Sequence, residues 1–414
     1  VTTRAAPGGD AFLRPALVVI GAGVAAALHV GKLAPAIAAL QAALGLTLVQ
    51  AGFLLSTVQL AGMAFGVAFG VLADGLGLQR SMVLGLAVLA AASAAGGFAD
   101  GATALLVLRA VEGFGFLLVV LPAPGLVRRL VPPQRVSLML GLWGAYMPLA
   151  TALALLAGPL VIGAFGWPAW WWVLAAVSAA AAVVLARMVP PRVDAPAAPT
   201  TPAPARSGWA ARLARTLGAR GPWLVALAFA MYSGQWLAVI GFLPAIYTQA
   251  GVAGWATGVL TALAAAVNIG GNVGAGRLLH RGARQPVLLA AGYVAMALAA
   301  ALAFAGPADA GAPAWLRYVA VLAFSLLGGM IPATLFSLAV RLAPDEQTMS
   351  TTVGWVQQWS SLGQFAGPPL VAWVASAAGG WHWTWAATGA ASLAGLGLTW
   401  AIARALSLAR GPGR

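Results

Sequence analysis

Four residues in this chain set an ionisable side chain in a strongly apolar stretch: His29, Lys32, Arg109 and Glu112. Lys32 is the sole lysine, and it sits in the otherwise apolar run from Leu17 to Ile37, three residues after His29. Three positions apart on a helix means one face. Carrying a lysine into a bilayer costs roughly 2.5–3.5 kcal/mol, so that face belongs in a water-filled cavity or against a partner, not in lipid. Arg109 and Glu112 repeat the spacing in a later apolar run. Two cations can attract and hold an anion, the guanidinium by two parallel hydrogen bonds. Glu112 is the only carboxylate deep in such a run, which makes it the first candidate to take up and release a proton. His29, with an intrinsic pKa near neutrality, is the second. The competing readings are that Glu112 simply neutralises Arg109 on its own helix, and that His29 is only hydrogen-bonded.

The elements that must position these groups follow from composition. Of 414 residues, 62% are hydrophobic and 7% charged, with mean hydropathy +0.93. Soluble domains carry about 25% charged residues, so this is an all-α polytopic membrane protein with no soluble domain of useful size. Cysteine is absent, which excludes disulfides and thiolate metal sites. The histidines (His29, His280, His382) are too scattered for a metal cluster, so no metal and no cofactor is expected. The polar stretch up to Arg14 lacks a cleavable signal pattern, and the first span is expected to be retained.

Apolar runs of about 20 residues cross a bilayer as helices. They fall at 15–39, 48–73, 81–99, 102–127, 137–165 and 168–189, then at 222–249, 255–279, 286–305, 314–342, 348–377 and 382–408. That predicts twelve spans, six and six. Nineteen of the 22 basic residues fall at the termini or in even-numbered loops, Arg80, Arg128, Arg129 and Arg277 among them, and only Arg317 falls on the other side. The net charge of +14 is therefore a topology signal, not a nucleic-acid surface, and it puts both termini in the cytoplasm. Span one then runs outward and span four inward. Lys32 and Arg109 each lie about seven residues from the outer end, roughly 10 Å deep at 1.5 Å per residue, so one cavity could hold both.

Three units are predicted: a six-helix bundle over 1–189, a cytoplasmic linker over 190–221 and a second bundle over 222–414. The first part of the linker is Pro/Ala-rich and extended. From Ser207 to Ala219, Trp209, Leu213 and Leu217 recur every four residues beside Arg212 and Arg215, the pattern of a short basic amphipathic helix on the lipid surface. The halves echo each other, with Gly158-Pro159 in span five matched by Gly367-Pro368 in span eleven. Each is followed by a tryptophan-rich turn, Trp167 to Trp172 and Trp381 to Trp385. Parallel six-span halves suggest a transporter with its substrate between them near the midplane.

These features resemble the major facilitator superfamily over essentially the whole chain. Gly70, Asp74 and Gly77 match its loop motif after span two, although Gly75 replaces an expected arginine. Arg109-Ala-Val-Glu112-Gly113-Phe-Gly115 is similar to the family's span-four pattern. Gly158-Pro159 partly matches the span-five motif of antiporters, but the second glycine expected beside Gly163 is missing, so the motif does not establish efflux. Glu112 to Pro124, Gly329 to Thr334, and Gly354-Trp-Val-Gln357-Gln358 resemble the bacterial cyanate and nitroimidazole transporter branch.

The resemblance implies two pseudo-symmetric six-helix bundles, with spans one and four lining the central face of the first. It also implies that Asp74 helps lock the cytoplasmic gate. In the second half, neutral polar and aromatic groups could orient a small substrate: Tyr232, Gln235 and Trp236 in span seven, Asn268 and Asn272 on one face of span eight, and Gln357, Gln358 and Trp359 in span eleven. Interhelical hydrogen bonding is the simpler role for any one of them. The expected function is secondary transport of a small organic anion or polar compound across a bacterial inner membrane, with or without protons, by a monomer. A proton-driven drug or metabolite efflux antiporter is the alternative. A membrane-embedded enzyme would need a nucleophile–base pair or clustered acids that this sequence does not supply.

Overall fold

The computed structural model describes residues 13–66, 76–189, 208–306 and 312–408. Asp74, the candidate gate residue, and the Pro/Ala-rich stretch of the linker lie outside the described residues.

Eleven helices among the described residues are long and apolar enough to cross a membrane. In chain order they are α1 (Leu13–Leu44), α2 (Leu48–Gly66), α3 (Leu78–Gly96), α4 (Ala102–Leu130), α5 (Pro133–Phe165), α6 (Trp167–Met188), α7 (Arg220–Gln249), α8 (Gly254–His280), α9 (Gln285–Phe304), α10 (Ala314–Arg341) and α12 (Trp381–Leu408). Between the last two lies α11 (Met349–Ala377), equally long but more polar because Gln357, Gln358, Gln364 and several serines and threonines interrupt it. The fold is all-α, and no strand occurs among the described residues. A further helix, Trp209–Gly218, forms where the linker periodicity predicts it.

Four of these spans break at a proline, while α2 tightens into a short turn at Thr57–Gln59 without one. The first helical segments of α1, α4, α5 and α10 end at Gly31, Val120, Gly144 and Gly328, each four residues before Pro35, Pro124, Pro148 or Pro332. Proline has no N–H for the carbonyl four residues back, and its ring crowds that carbonyl. Side chains take over some of the groups released. Ser81 Oγ donates to Leu118 O at 3.0 Å, the carbonyl four residues before Pro122. At the α1 break Ala36 N turns to Leu33 O, leaving Lys32 O to accept from Trp170 Nε1 at 3.1 Å.

The two ends of the molecule differ. One is rich in arginine (Arg14, Arg128, Arg187, Arg277, Arg341), the other in tryptophan (Trp167, Trp172, Trp255, Trp315, Trp383). A single apolar core joins α1, α2, α5 and α6 to α7–α12 at the tryptophan-rich end, through Ile37, Leu40, Leu54, Leu155 and Trp170. Toward the arginine-rich end, α1 and α3–α6 keep a core almost entirely their own, built on Val19, Met82, Leu126, Val127 and Trp143. Helix α2 also packs along α11, from Gly52 against Pro369 and Ala372 to Gly66 against Gln358. Helix α5 meets α8 where Leu155 and Pro159 face Gly258.

Candidate functional site

The α1 break positions the first half of the site. Lys32 follows directly on the helix ending at Gly31, where unpaired carbonyls make a cation favourable. Helix α4 supplies the other half. It approaches α2 closely because residue 113 is glycine: a Cβ there would stand 2.5 Å from Val58 O. That approach sets Arg109 Nε 3.2 Å from Leu54 O.

All four ionisable residues meet in one cluster, each at most 1% exposed. Glu112 is its centre. One carboxylate oxygen, Oε1, accepts from Lys32 Nζ and lies 3.4 Å from His29 Nδ1. The other, Oε2, accepts from Arg109 Nη1 at 2.5 Å. Arg109 Nη1 also reaches His29 O at 2.6 Å. Lys32 Nζ donates to Ser93 Oγ at 3.1 Å and sits 4.7 Å from the Trp171 ring centroid, a cation–π contact. Ser93 Oγ in turn donates to Trp171 O at 2.8 Å, and His29 Nε2 pairs with Ser178 Oγ at 2.7 Å. Among the described residues, Arg109 Nη2 and His29 Nδ1 are buried without a hydrogen-bond partner.

Electrostatics follows from the count. Lys32 and Arg109 bring two positive charges and Glu112 one negative, so with His29 neutral the cluster carries one surplus positive charge inside the protein. Unpaired buried charge is costly unless hydrogen bonds compensate it, and here backbone carbonyls, Ser93 and an aromatic face do so. The sequence had Lys32 and Arg109 sharing a cavity. The structure has them sharing a carboxylate, enclosed by α1, α2, α3, α4 and α6.

Sequence reasoning missed Ser93, Ser178, Trp170 and Trp171. The two tryptophans read as interfacial belt residues, yet both are buried and hold Lys32 from opposite chemical sides, one through its carbonyl and one through its ammonium. Their spacing from Lys32 along the chain carries no signal of this.

The second-half candidates divide into separate groups. Asn268 Nδ2 donates to Tyr232 OH at 3.0 Å and to Ser325 O at 2.9 Å, and Trp236 Nε1 reaches Ser325 Oγ at 3.1 Å. Asn272 Nδ2 extends this chain to Asn268 Oδ1 at 2.9 Å. Gln235 turns the other way, donating to Met231 O and accepting from Ser392 Oγ on α12. Trp359 packs with Trp223 and Trp355 near the arginine-rich end, with centroids 5.5 and 5.9 Å away. Gln357 and Gln358 are half-buried on α11, Gln358 against Gly66. A direct link between α2 and α11 comes from Gln59, which the sequence reading passed over. Its Nε2 donates to Gln364 Oε1 at 3.1 Å.

Among the described residues, twelve long helices, four of them broken at prolines, pack as a polytopic membrane bundle around a buried ionic cluster. The chain belongs to the Major Facilitator Superfamily, whose family profile matches residues 18–360. As a member of that superfamily it is a membrane transport protein. The fold is similar to that of a bacterial homologue of the human lysosomal transporter Spinster in its inward-facing, occupied conformation. That similarity has TM-score 0.77 and 14% identity, over 95% of this chain and 97% of that one. The unoccupied inward-facing form gives TM-score 0.71 over 95% and 94%. A segment of 103 residues is 30% identical to the tetracenomycin C resistance and export protein of Streptomyces glaucescens, spanning 25% of this chain and 19% of that protein.

Proposed function

We propose that this chain is a proton-driven exporter of a small organic compound, with halves 1–189 and 222–414 rocking about the 190–221 connection. The carrying observation is Glu112 held at once by Lys32 and Arg109, with His29 3.4 Å away. A proton on Glu112 would leave two buried cations without their counter-ion, so protonation and the packing of α1 against α4 are tied together. The export assignment draws on the 30% identity to a protein named for resistance and export. With the arginine-rich end cytoplasmic, as the basic-residue bias implies, the apolar core shared by the halves lies at the opposite end, while α2 and α11 stay in contact toward the cytoplasmic end at Gly66 and Gln358.

The surplus positive charge favours a second reading, a small anionic cargo attracted toward Lys32 and Arg109. The three stretches that resemble the cyanate and nitroimidazole branch support that cargo too.

Reconstituted vesicles separate export from uptake. Proton antiport drives accumulation when the vesicle interior is acid, and proton-coupled uptake does so when it is alkaline. The cargo comes from a thermal-shift screen of small carboxylates and of polycyclic aromatic compounds on the purified protein. Glu112→Gln should abolish the response to the gradient while gradient-free exchange persists. Full gradient-driven transport by this variant would remove Glu112 from coupling.

A further inference from the structure

A cleft of about 570 Å³ opens at the arginine-rich end between α8, α9, α10 and α12, lined by Arg284, Gln285, Ser337, Arg341 and Ser407. It shares Pro286, Val287 and Ala403 with a second groove of about 550 Å³, which runs on between α9 and α12 along Ala291, Val294, Leu396 and Trp400. The first groove mixes polar and apolar walls and carries two arginines; the second is almost wholly apolar. Val287, Val294 and Trp400 are 58%, 43% and 60% exposed, on a face that lipid covers in the membrane. Arg404 stacks its guanidinium 4.0 Å from the Trp400 ring, adding a third cation at the junction.

We propose that this continuous groove holds one anionic phospholipid of the leaflet at the arginine-rich end, its phosphate between Arg284 and Arg341 and an acyl chain along Val294 and Trp400. Charge complementarity carries the assignment. None of these three arginines has a carboxylate within ion-pair distance among the described residues. The nearby Asp345 is taken by Arg215 at 2.6 Å. Gln285 is held between Arg341 Nη1 at 2.8 Å and Ser337 Oγ at 3.1 Å, which fixes one wall of the polar part. A soluble anion would use the basic part and have no need of the apolar one, whereas a phospholipid matches both at the depth where headgroup gives way to chain. Guanidinium forks suit a phosphate diester, and the exposed Trp400 ring offers an apolar face to an acyl chain.

The absence of cysteine makes the test direct. Val294→Cys carries a fluorophore in the groove, and Val184→Cys on α6 carries it on the lipid face elsewhere. Full-length protein goes into phosphatidylcholine nanodiscs doped with spin-labelled phosphatidylglycerol or spin-labelled phosphatidylcholine. Phosphatidylglycerol should quench the Val294 probe preferentially and the Val184 probe without preference. Each of Arg284→Gln and Arg341→Gln should lower that preference about fivefold, as expected for one basic residue at an anionic surface. The paired lysine variants, which keep the charge, should retain most of it. Equal quenching by the two lipids would overturn the proposal, as would a preference that survives the double glutamine variant. Loss of the preference on adding inorganic phosphate would overturn it too, because the cleft would then be a site for free anions.

Discussion

At the residue scale, Glu112 is the keystone of the ionic cluster, and its partners are not equivalent to it. Removing Lys32 leaves Arg109 paired with Glu112 and takes away the surplus charge; removing Glu112 leaves two cations buried together. Breaking a buried pair by deleting one partner typically costs about 3–5 kcal/mol when it strands the other. Glu112→Gln should therefore lower the thermal unfolding midpoint of detergent-purified protein far more than Lys32→Met. The double variant should recover much of the loss, because it leaves Arg109 alone with its carbonyl partners Leu54 and His29. An equal loss for the two single variants would mean that Lys32 is needed for more than charge balance. The sequence identified all four members of the cluster because ionisable residues are conspicuous in apolar runs. It could not reveal Ser93, Ser178 and Trp171, since serine and tryptophan are unremarkable in membrane helices and their role depends on which helices meet.

At the element scale, Gly113 and the prolines decide how α1 and α4 come together. A Cβ at 113 would meet the Val58 carbonyl at 2.5 Å, an obstacle made of backbone that cannot swing away as a flexible side chain would. Gly113→Val should push α4 from α2, with a cost of about 1–3 kcal/mol typical of overpacking. It should also weaken the Arg109 contact to Leu54 O. Thermal unfolding of the variant checks the first effect, and reduced gradient-driven flux checks the second. Gly158 and Gly367, matched in sequence, also do matching work. A Cβ at Gly158 would stand 2.5 Å from Pro35 Cγ in α1, and one at Gly367 2.3 Å from Gly234 O in α7. Spans five and eleven thus press closely on one and seven, but at different levels: Pro35 lies nine residues from the end of α1 and Gly234 fifteen from the end of α7. Most span limits were readable within a few residues because hydropathy and loop charge change together there. Helix α11 is the instructive case. The sequence placed it at 348–377 and the helix runs Met349–Ala377, although its glutamines make it the most polar span. The breaks inside α1, α4, α5 and α10 were not foreseen, since the same residue lies within α5, α7 and α11 as Pro159, Pro244 and Pro368 without ending the helix. Whether a proline breaks a span depends on which neighbouring groups donate to the released carbonyl, and that is a property of the packing.

At the scale of the whole molecule, two cores meet differently at the two ends. The continuous core at the tryptophan-rich end holds the halves together there, while toward the arginine-rich end the first half keeps its own. If transport alternates access, the tryptophan-rich contacts must part once per cycle. The α2–α11 pair offers a direct handle, because a Cβ built on Gly52 would lie 3.1 Å from Ala372 Cβ. Cysteines at both positions are close enough for a disulfide, whose Cβ atoms stand about 3.5–4.5 Å apart, after a small adjustment. In an otherwise cysteine-free chain, oxidation of Gly52→Cys/Ala372→Cys should form that bridge alone and stop net flux in vesicles. Reduction should restore flux, and each single variant should be insensitive to oxidant. The bridge should leave the opposite end accessible, so a small thiol reagent should still label Arg129→Cys from the arginine-rich side. Undiminished flux with the bridge fully formed would mean that α2 and α11 move as one body at this end, and that the halves separate along another seam, the α5–α8 contact at Gly258 being the next to test.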